Sequence, residues 1–307
     1  MPKFIYKFKQ LKERILYMKA EEERKINPIQ KMHLGQMKLF MAELFFLARY
    51  TKLDKVILLY VGAASGYHTH FMARLFPQYM FHLYDRSPFH KIFYEQPLPN
   101  IKIYKEYFTH EHAFRYKKMN ANILYMCDMR DLDIAVVRKD KKNDTKALVS
   151  DIDNIIMKDM EDQMEWAEIM NPIASYLKLR LPYDGTDYKY FDGTIYLQPF
   201  SPFSTEMRIY VTDHTKKKIY NCSEVDEKLA YFNHHTRQNT FVTKWSKIMK
   251  DNKLKDIWDS HFSLFISEYY LKESNKKHGK QDVVDFFKSV IDYHMEDNDK
   301  KYKTLYI

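Results

Sequence analysis

Hydrophobic positions along the chain gather in short unbroken runs, separated by longer stretches in which apolar and polar residues alternate with a helical period. "KVILLYV" (55–61) is a β-branched and aromatic run closed by Gly62. It is too short for a helix and lacks polar alternation, so it predicts a strand buried on both faces. "YMFHLYD" (79–85), "IKIY" (101–104) and "NILYMCD" (122–128) predict further strands. "GAASGYHTHFMARLF" (62–76) predicts a turn leading into a helix. "QMKLFMAELFFLARY" (36–50) predicts a helix apolar on most of its surface, and therefore buried against a sheet. "SDIDNIIMKDMEDQMEWAEIM" (150–170) opens on a Ser-Asp cap and predicts a long helix. "GTIYLQPF" (193–200) and "EMRIYVTD" (206–213) predict the last strands. This order over residues 30–215 specifies an α/β fold with a doubly wound, mainly parallel sheet and helices on both faces. Residues 3–25 read as a charged, helix-compatible segment, and 216–307 as polar, Lys-rich and mostly helical.

One strand breaks the apolar rule. In "NPIASYLKLRLPY" (171–183) Leu177, Leu179 and Leu181 fall on one side, and Lys178 and Arg180 on the other. Either the cations reach into solvent from a half-exposed strand, or the strand end presents a lysine to an anionic substrate.

Composition narrows the partners. The 307 residues carry a net charge of +9 and 16% aromatics. The lysines cluster in runs, among them "KFIYKFKQLK", "RKDKKNDTK", "HTKKKIY" and "KKHGK". Basic runs beside aromatics favour a polyanionic partner such as RNA. Cys127 and Cys222 have no zinc-site spacing and suggest no disulfide framework. No signal peptide is read, and no apolar run approaches the ~18 residues needed to span a bilayer. The expectation is a soluble cytoplasmic protein without membrane contact and without a metal centre.

Gly62 and Gly66 stand at a strand-to-helix turn, and Asp85 ends the next strand. Such a turn allows close backbone approach, and such an acid accepts hydrogen bonds from a ribose diol. The P-loop and full dinucleotide patterns are both missing, so a nucleoside without a pyrophosphate fits better, and S-adenosylmethionine is the common one. His68 is expected to line the pocket and His70 only to pack. Around the same rim the chain order places Lys38, Asp128, Lys178 and Glu206. That set suits methyl transfer to a ribose 2′-hydroxyl, whose proton must leave as the oxygen attacks. Lys178 is then the base or hydroxyl-orienting group, with Lys38, Asp128 and Glu206 tuning and orienting it.

"GQMKLFMAELFFL", "YVGAASGYH", "DMRD", "MNPIASYLKLRLPY" and "LQPFSPFSTEMR" resemble the poxvirus cap-specific mRNA nucleoside-2′-O-methyltransferases, a family that doubles as the small subunit of the viral poly(A) polymerase. The resemblance covers about residues 30–235. It implies a Rossmann-like fold, S-adenosylmethionine as methyl donor and capped mRNA as substrate, with a distant large-DNA-virus member acting in the infected cytoplasm. It carries the Lys-Asp-Lys-Glu tetrad onto Lys38, Asp128, Lys178 and Glu206. Cofactor contacts carry onto Gln36, Tyr60, Gly62, Gly66, His68, Asp85 and Asp128, and onto Arg86, Tyr107 and Phe108. Cap and RNA contacts carry onto Arg180, Tyr183 and Asp184, and onto Asp226 or Glu227, with an opposing aromatic near Tyr17. Three departures stand out: Ser65 occupies the family's proline position, "DRS" replaces "DGR", and the N-terminal segment is basic where the family's is acidic. The implied organisation is a basic extension (1–29), a methyltransferase domain (30–235) and a helical Lys-rich region (236–307) packed on it. The alternatives are a non-catalytic RNA-binding processivity subunit of a poly(A) polymerase, and a methyltransferase of ribosomal or transfer RNA.

Overall fold

The structure, a computed structural model, describes residues 4–26, 34–119, 121–129, 145–182, 187–203, 206–239 and 242–306. The apolar runs become strands β1 (Val56–Val61), β2 (Tyr79–Tyr84), β3 (Ile101–Tyr104), β4 (Asn122–Cys127) and β5 (Ala174–Leu179). After them come β6 (Tyr188–Phe191), β7 (Thr194–Tyr196), β8 (Met207–Val211) and β9 (Lys217–Tyr220). Seven of these form one sheet in the order β3-β2-β1-β4-β5-β8-β7. β1 to β5 are parallel, whereas β8 runs antiparallel to both β5 and β7. This is the Rossmann-like arrangement expected from the alternation of strands and helices. Its strand order reverses beside β1, which opens a crevice over the carboxyl ends of β1 and β4.

The helices in chain order are α1 (Tyr17–Ile26), α2 (Gly35–Leu47), α3 (Tyr67–Leu75), α4 (Ile92–Glu95), α5 (His110–Lys117), α6 (Thr145–Met170), α7 (Cys222–His234), α8 (Ser246–Asp251), α9 (Trp258–Glu273) and α10 (Lys280–Tyr302). α2 and α3 cover one face of the sheet and α5 and α6 the other. Phe46 of α2 stacks on Tyr176 at 5.2 Å, while Tyr116 of α5 meets His82 across the opposite face. α2 is apolar all round because α9 and α10 cover its outer side, making it a buried middle layer. α10 is also clasped to α3: Tyr67 donates to the Tyr293 carbonyl at 2.9 Å, and Tyr293 donates to the Tyr67 carbonyl at 3.1 Å.

Three details differ from expectation. The N-terminal helix begins only at Tyr17, preceded by a single 3-10 turn at Phe8–Gln10. Upstream, "FIYKF" alternates rings with other residues and lies along the core. Lys7 bridges to Tyr196, Phe4 stacks on Trp258 at 5.9 Å, and the Trp258 indole donates to the Ile5 carbonyl at 2.9 Å. Second, the strand expected over 193–200 stops at Tyr196. Its continuation turns so that Asp259 can accept from the Phe200 amide, with Arg237 paired to the same buried carboxylate. Third, neither β6 nor β9 was anticipated, the latter lying in the stretch read as mostly helical; the two pair in an antiparallel ribbon.

Candidate active site

Five charged side chains meet at the carboxyl end of β5. Lys178 Nζ lies 2.7 Å from Asp128 Oδ1 and 3.7 Å from Glu206 Oε2. Lys38 Nζ, reaching in from α2, meets Glu206 Oε1 at 2.8 Å. The fifth is Arg208, whose Nη2 lies 2.7 Å from Asp128 Oδ1 and 3.7 Å from Glu206 Oε1. Strand polarity explains the gathering. Asp128 follows β4 and Lys178 ends β5, and because β8 is antiparallel its first residues return to the same edge. Lys178 and Arg208 are direct register partners, so both side chains leave the same face of the sheet.

Burial penalises both carboxylates as anions, yet their surroundings outweigh it. The charges of Arg208, Lys178 and Lys38 hold Asp128 well below the usual carboxylate range, and Lys178, Lys38 and Arg208 do the same for Glu206. Burial likewise opposes the Arg208 guanidinium, but Asp128 and Glu206 hold its proton more firmly than usual. Three basic side chains therefore meet two carboxylates in a nearly dry group. Arg208 Nη1 is buried with no hydrogen-bond partner among the described residues.

A cavity of about 770 Å³ opens beside this cluster. Gly62, Asp85, Arg86, Tyr107, Phe108, Asp128 and Lys178 line it, joined by an α6 wall that includes Asn154, Lys158, Asp162 and Trp166. The α6 polar residues recur every fourth position, so one stripe of that helix faces the cavity. Asp85 ends β2 with each carboxylate oxygen already accepting one backbone N–H: Oδ2 from Ala64 at 3.0 Å and Oδ1 from Ser87 at 2.8 Å. Lone pairs remain on both oxygens. The Arg86 guanidinium sits over the Tyr107 ring at 5.0 Å, and Tyr84, Phe108 and Trp166 add aromatic wall. Both glycines of the turn have positive φ, 77° at Gly62 and 75° at Gly66. A Cβ on Gly62 would lie 2.5 Å from the Met129 nitrogen, so this glycine is needed to bring the exits of β1 and β4 together.

Gln36, Tyr60, Gly66 and His68 do not line this cavity. His68 is buried under the turn: one ring nitrogen meets Gln36 Oε1 at 2.8 Å and the other meets Glu43 Oε2 at 3.0 Å. Tyr60 donates to Glu43 Oε1 at 2.6 Å. Glu43, a carboxylate buried in the apolar helix α2, draws these residues beneath the turn. They brace it from below.

A second polar group lies on α7. Asp226 Oδ1 is buried and has no hydrogen-bond partner among the described residues. Burial pushes its carboxyl up to about 7, with Asp153 and Glu227 adding to the rise against the charge of Arg180. Glu227 turns the other way, 3.8 Å from Arg14, and its carbonyl accepts from the Ile15 amide. α1, which begins at the half-exposed Tyr17, therefore packs on α7. Tyr183 and Asp184 lie outside the described residues.

Residues 1–295 match the family described as "Poly A polymerase regulatory subunit". The chain belongs to the poly A polymerase regulatory subunit family. Among its relatives is the cap-specific mRNA (nucleoside-2′-O-)-methyltransferase of fowlpox virus (strain NVSL), 28% identical over 195 residues, covering 57% of this chain and 56% of the relative. The protein of the same name from myxoma virus (strain Lausanne) is 27% identical over 238 residues, covering 70% of this chain and 65% of the relative. This poly A polymerase regulatory subunit family member thus spans less than two thirds of the length of these relatives. A sugar N-methyltransferase from Streptoalloteichus is similar over 70% of this chain and 82% of its own, at 11% identity and a TM-score of 0.24, too slight to bear on the site.

For this family member, Lys38, Asp128, Lys178 and Glu206 come together, and six of the expected cofactor residues share one cavity. Arg208 was missed, although it stands two residues after Glu206 and so shares its face of the strand. Another polar group joins His110, Asp162 and Glu165, whose ligand atoms lie within 4.8 Å of one another. His110 and Glu165 already satisfy each other at 2.7 Å. No helix among the described residues is long and apolar enough to cross a membrane.

Proposed function

We propose that this protein transfers a methyl group from S-adenosylmethionine to the ribose 2′-hydroxyl of the first transcribed nucleotide of capped mRNA. The observation that carries this reading is that one cavity runs from Asp85 to Lys178. The residues present fit the cofactor: Asp85 keeps lone pairs for a ribose diol, aromatic walls suit a purine, and the acids favour a sulfonium cation. Bound S-adenosylmethionine would supply an electrophilic methyl on a positively charged sulfur. Lys178, fixed between Asp128 and Glu206, releases its own proton to solvent and then, as a neutral amine, orients the 2′-hydroxyl and takes its proton as the oxygen attacks. Lys38 and Arg208 hold the two carboxylates in place. The fowlpox and myxoma relatives, named for this activity, support the substrate.

Arg180 serves the substrate phosphates, and Tyr183 and Asp184 take the cap-binding roles that the resemblance gives them. Asp226 offers its unpartnered oxygen to the guanine edge, and a methylated guanine brings positive charge to aromatic faces and carboxylates alike. A second reading, the processivity subunit of a poly(A) polymerase catalytic chain, is favoured by the family description and is compatible with the first. Labelled S-adenosylmethionine supplied with capped and uncapped RNA, followed by nuclease mapping, tests the proposal. Label in the first nucleotide's ribose, on capped RNA alone, is the expected result. Label on a base, or equally on uncapped RNA, would remove it.

A further inference from the structure

Two of the basic runs in the chain have different fates. In the run at 214–220 each lysine is answered by an acid: Lys216 meets Asp213 at 3.0 Å, Lys217 meets Glu168, and Lys218 meets Asp192 at 2.9 Å. The lysines around α8 and the α9–α10 connection behave otherwise. Residues 244–256 hold five lysines against two aspartates, and 272–282 hold four lysines against one glutamate and one aspartate. The two segments adjoin, because Lys280 Nζ donates to the Lys244 carbonyl at 3.3 Å and Asn252 bonds Gln281 at 3.2 Å. Lys244 is neutralised by Glu268. Lys247, Lys250, Lys253, Lys276, Lys277 and Lys280 are exposed and make no ion pair among the described residues. Three of the nearby acids have other work: Asp256 pairs with His261, Asp282 accepts from the Gly279 amide, and Asp285 accepts from Gln281, while Asp251 is exposed and pairs with no lysine among the described residues.

This patch is far from the reaction. Lys280 lies thirteen residues along α10 from Tyr293, about 20 Å of helix, and Tyr293 is the residue clasped to the cofactor turn. At its other side the Glu273 carbonyl accepts from Thr51, just ahead of β1, so the patch borders the amino edge of the sheet. The active cluster occupies the carboxyl edge.

We infer that these six lysines form a second RNA-docking surface, one that holds the phosphate backbone well downstream of the capped end. Like charges at this density repel one another, and a polyanion relieves that repulsion while releasing its own counterions. The rings beside these lysines, Trp245 and Tyr270, are buried and offer no face for a base to stack on, so the patch binds backbone without reading sequence. The choice of RNA over another polyanion rests on the proposed function. A short capped RNA engages only the carboxyl edge of the sheet, whereas a long one also reaches this surface.

The test uses the full chain with Lys247, Lys250, Lys276 and Lys277 replaced by Ala, beside a control with Lys216, Lys217 and Lys218 replaced by Ala. Binding of an uncapped single-stranded RNA of ~40 nucleotides is measured by fluorescence anisotropy across a salt series. The log–log slope of affinity against salt should become shallower by about 2–3 in the fourfold variant, at roughly 0.7 per lost contact, and stay unchanged in the control. In methyl transfer the fourfold variant should raise KM for long capped RNA several-fold, with kcat and the KM for a capped dinucleotide unaltered. An unaltered slope in the fourfold variant, or an equal change in the control, would overturn the surface. Because the anisotropy uses uncapped RNA, it decides the point even if no methyl transfer is found. A surface meant for an acidic protein would leave the slope untouched.

Discussion

The charged rim at the end of β5 and the polar group on α7 use charge in opposite ways. At the rim, Asp128, Glu206, Lys38, Lys178 and Arg208 answer one another at 2.7–3.7 Å, and both carboxylates are held ionised. On α7, Asp226 Oδ1 is buried with no hydrogen-bond partner among the described residues, and its carboxyl is pushed up to about 7. A closed network fixes a side chain in one orientation before substrate arrives, which is what a proton-transfer group needs. An open one keeps a desolvated acceptor whose cost is relieved only by an incoming donor. The first suits chemistry and the second recognition.

The sharpest way to break this contrast is at Lys178. Lys178→Arg keeps the charge but never offers a neutral amine, so methyl transfer should fall by ~10²–10⁴-fold while thermal unfolding stays near wild type. Near-normal turnover would make the rim a structural ion cluster and nothing more. Arg208→Leu removes a buried cation from two carboxylates and should lower unfolding free energy in denaturant titrations by ~3–5 kcal/mol. Little change there would mean the network is not closed through Arg208. Asp85→Ala, which removes the ribose acceptor, should weaken S-adenosylmethionine binding by roughly 2–4 kcal/mol in calorimetry, leaving RNA affinity alone.

The smallest expected effect belongs to the open site. Because folding raises the Asp226 pKa from 3.8 to about 7, the folded chain holds this proton more tightly than the unfolded one. Its contribution to stability is fully present below 3.8 and is lost as pH rises through about 7. A guanine edge that donates to the ionised carboxylate works the other way. Cap affinity should therefore rise by up to about tenfold between pH 6 and 8, as the ionised fraction climbs. Asp226→Asn should flatten both dependences. A wild-type affinity independent of pH over that range would close the open site.

The sheet was legible because its strands are apolar on both faces, and a run such as "VILLYV" permits little else. The tetrad was legible because each member stands at the end or edge of a predicted element. Arg208 was not, since an arginine inside "EMRIYV" looks solvated until the register with Lys178 is known, and that pairing is nonlocal. β6 was hidden for the same reason, as four residues mean little without β9. The resemblance carried cofactor contacts onto Tyr60 and His68, yet both lie beneath the turn and outside the cavity lining. Glu43, a lone carboxylate between Ala42 and Leu44, was the sign that a polar network lay beneath.

The paired tyrosines that join α3 to α10 set a schedule for the site's assembly. Tyr67 is made early, one residue beyond Gly66, but the groups it bonds with belong to residue 293. During translation the glycine turn waits, without its clasp, while 226 more residues are added. The nascent chain can lay down β1 to β5 in order and brace the turn from below through Glu43, yet the tie to α10 forms only once that helix leaves the ribosome and docks. A chain stalled before that helix would carry the turn without its tie to residue 293.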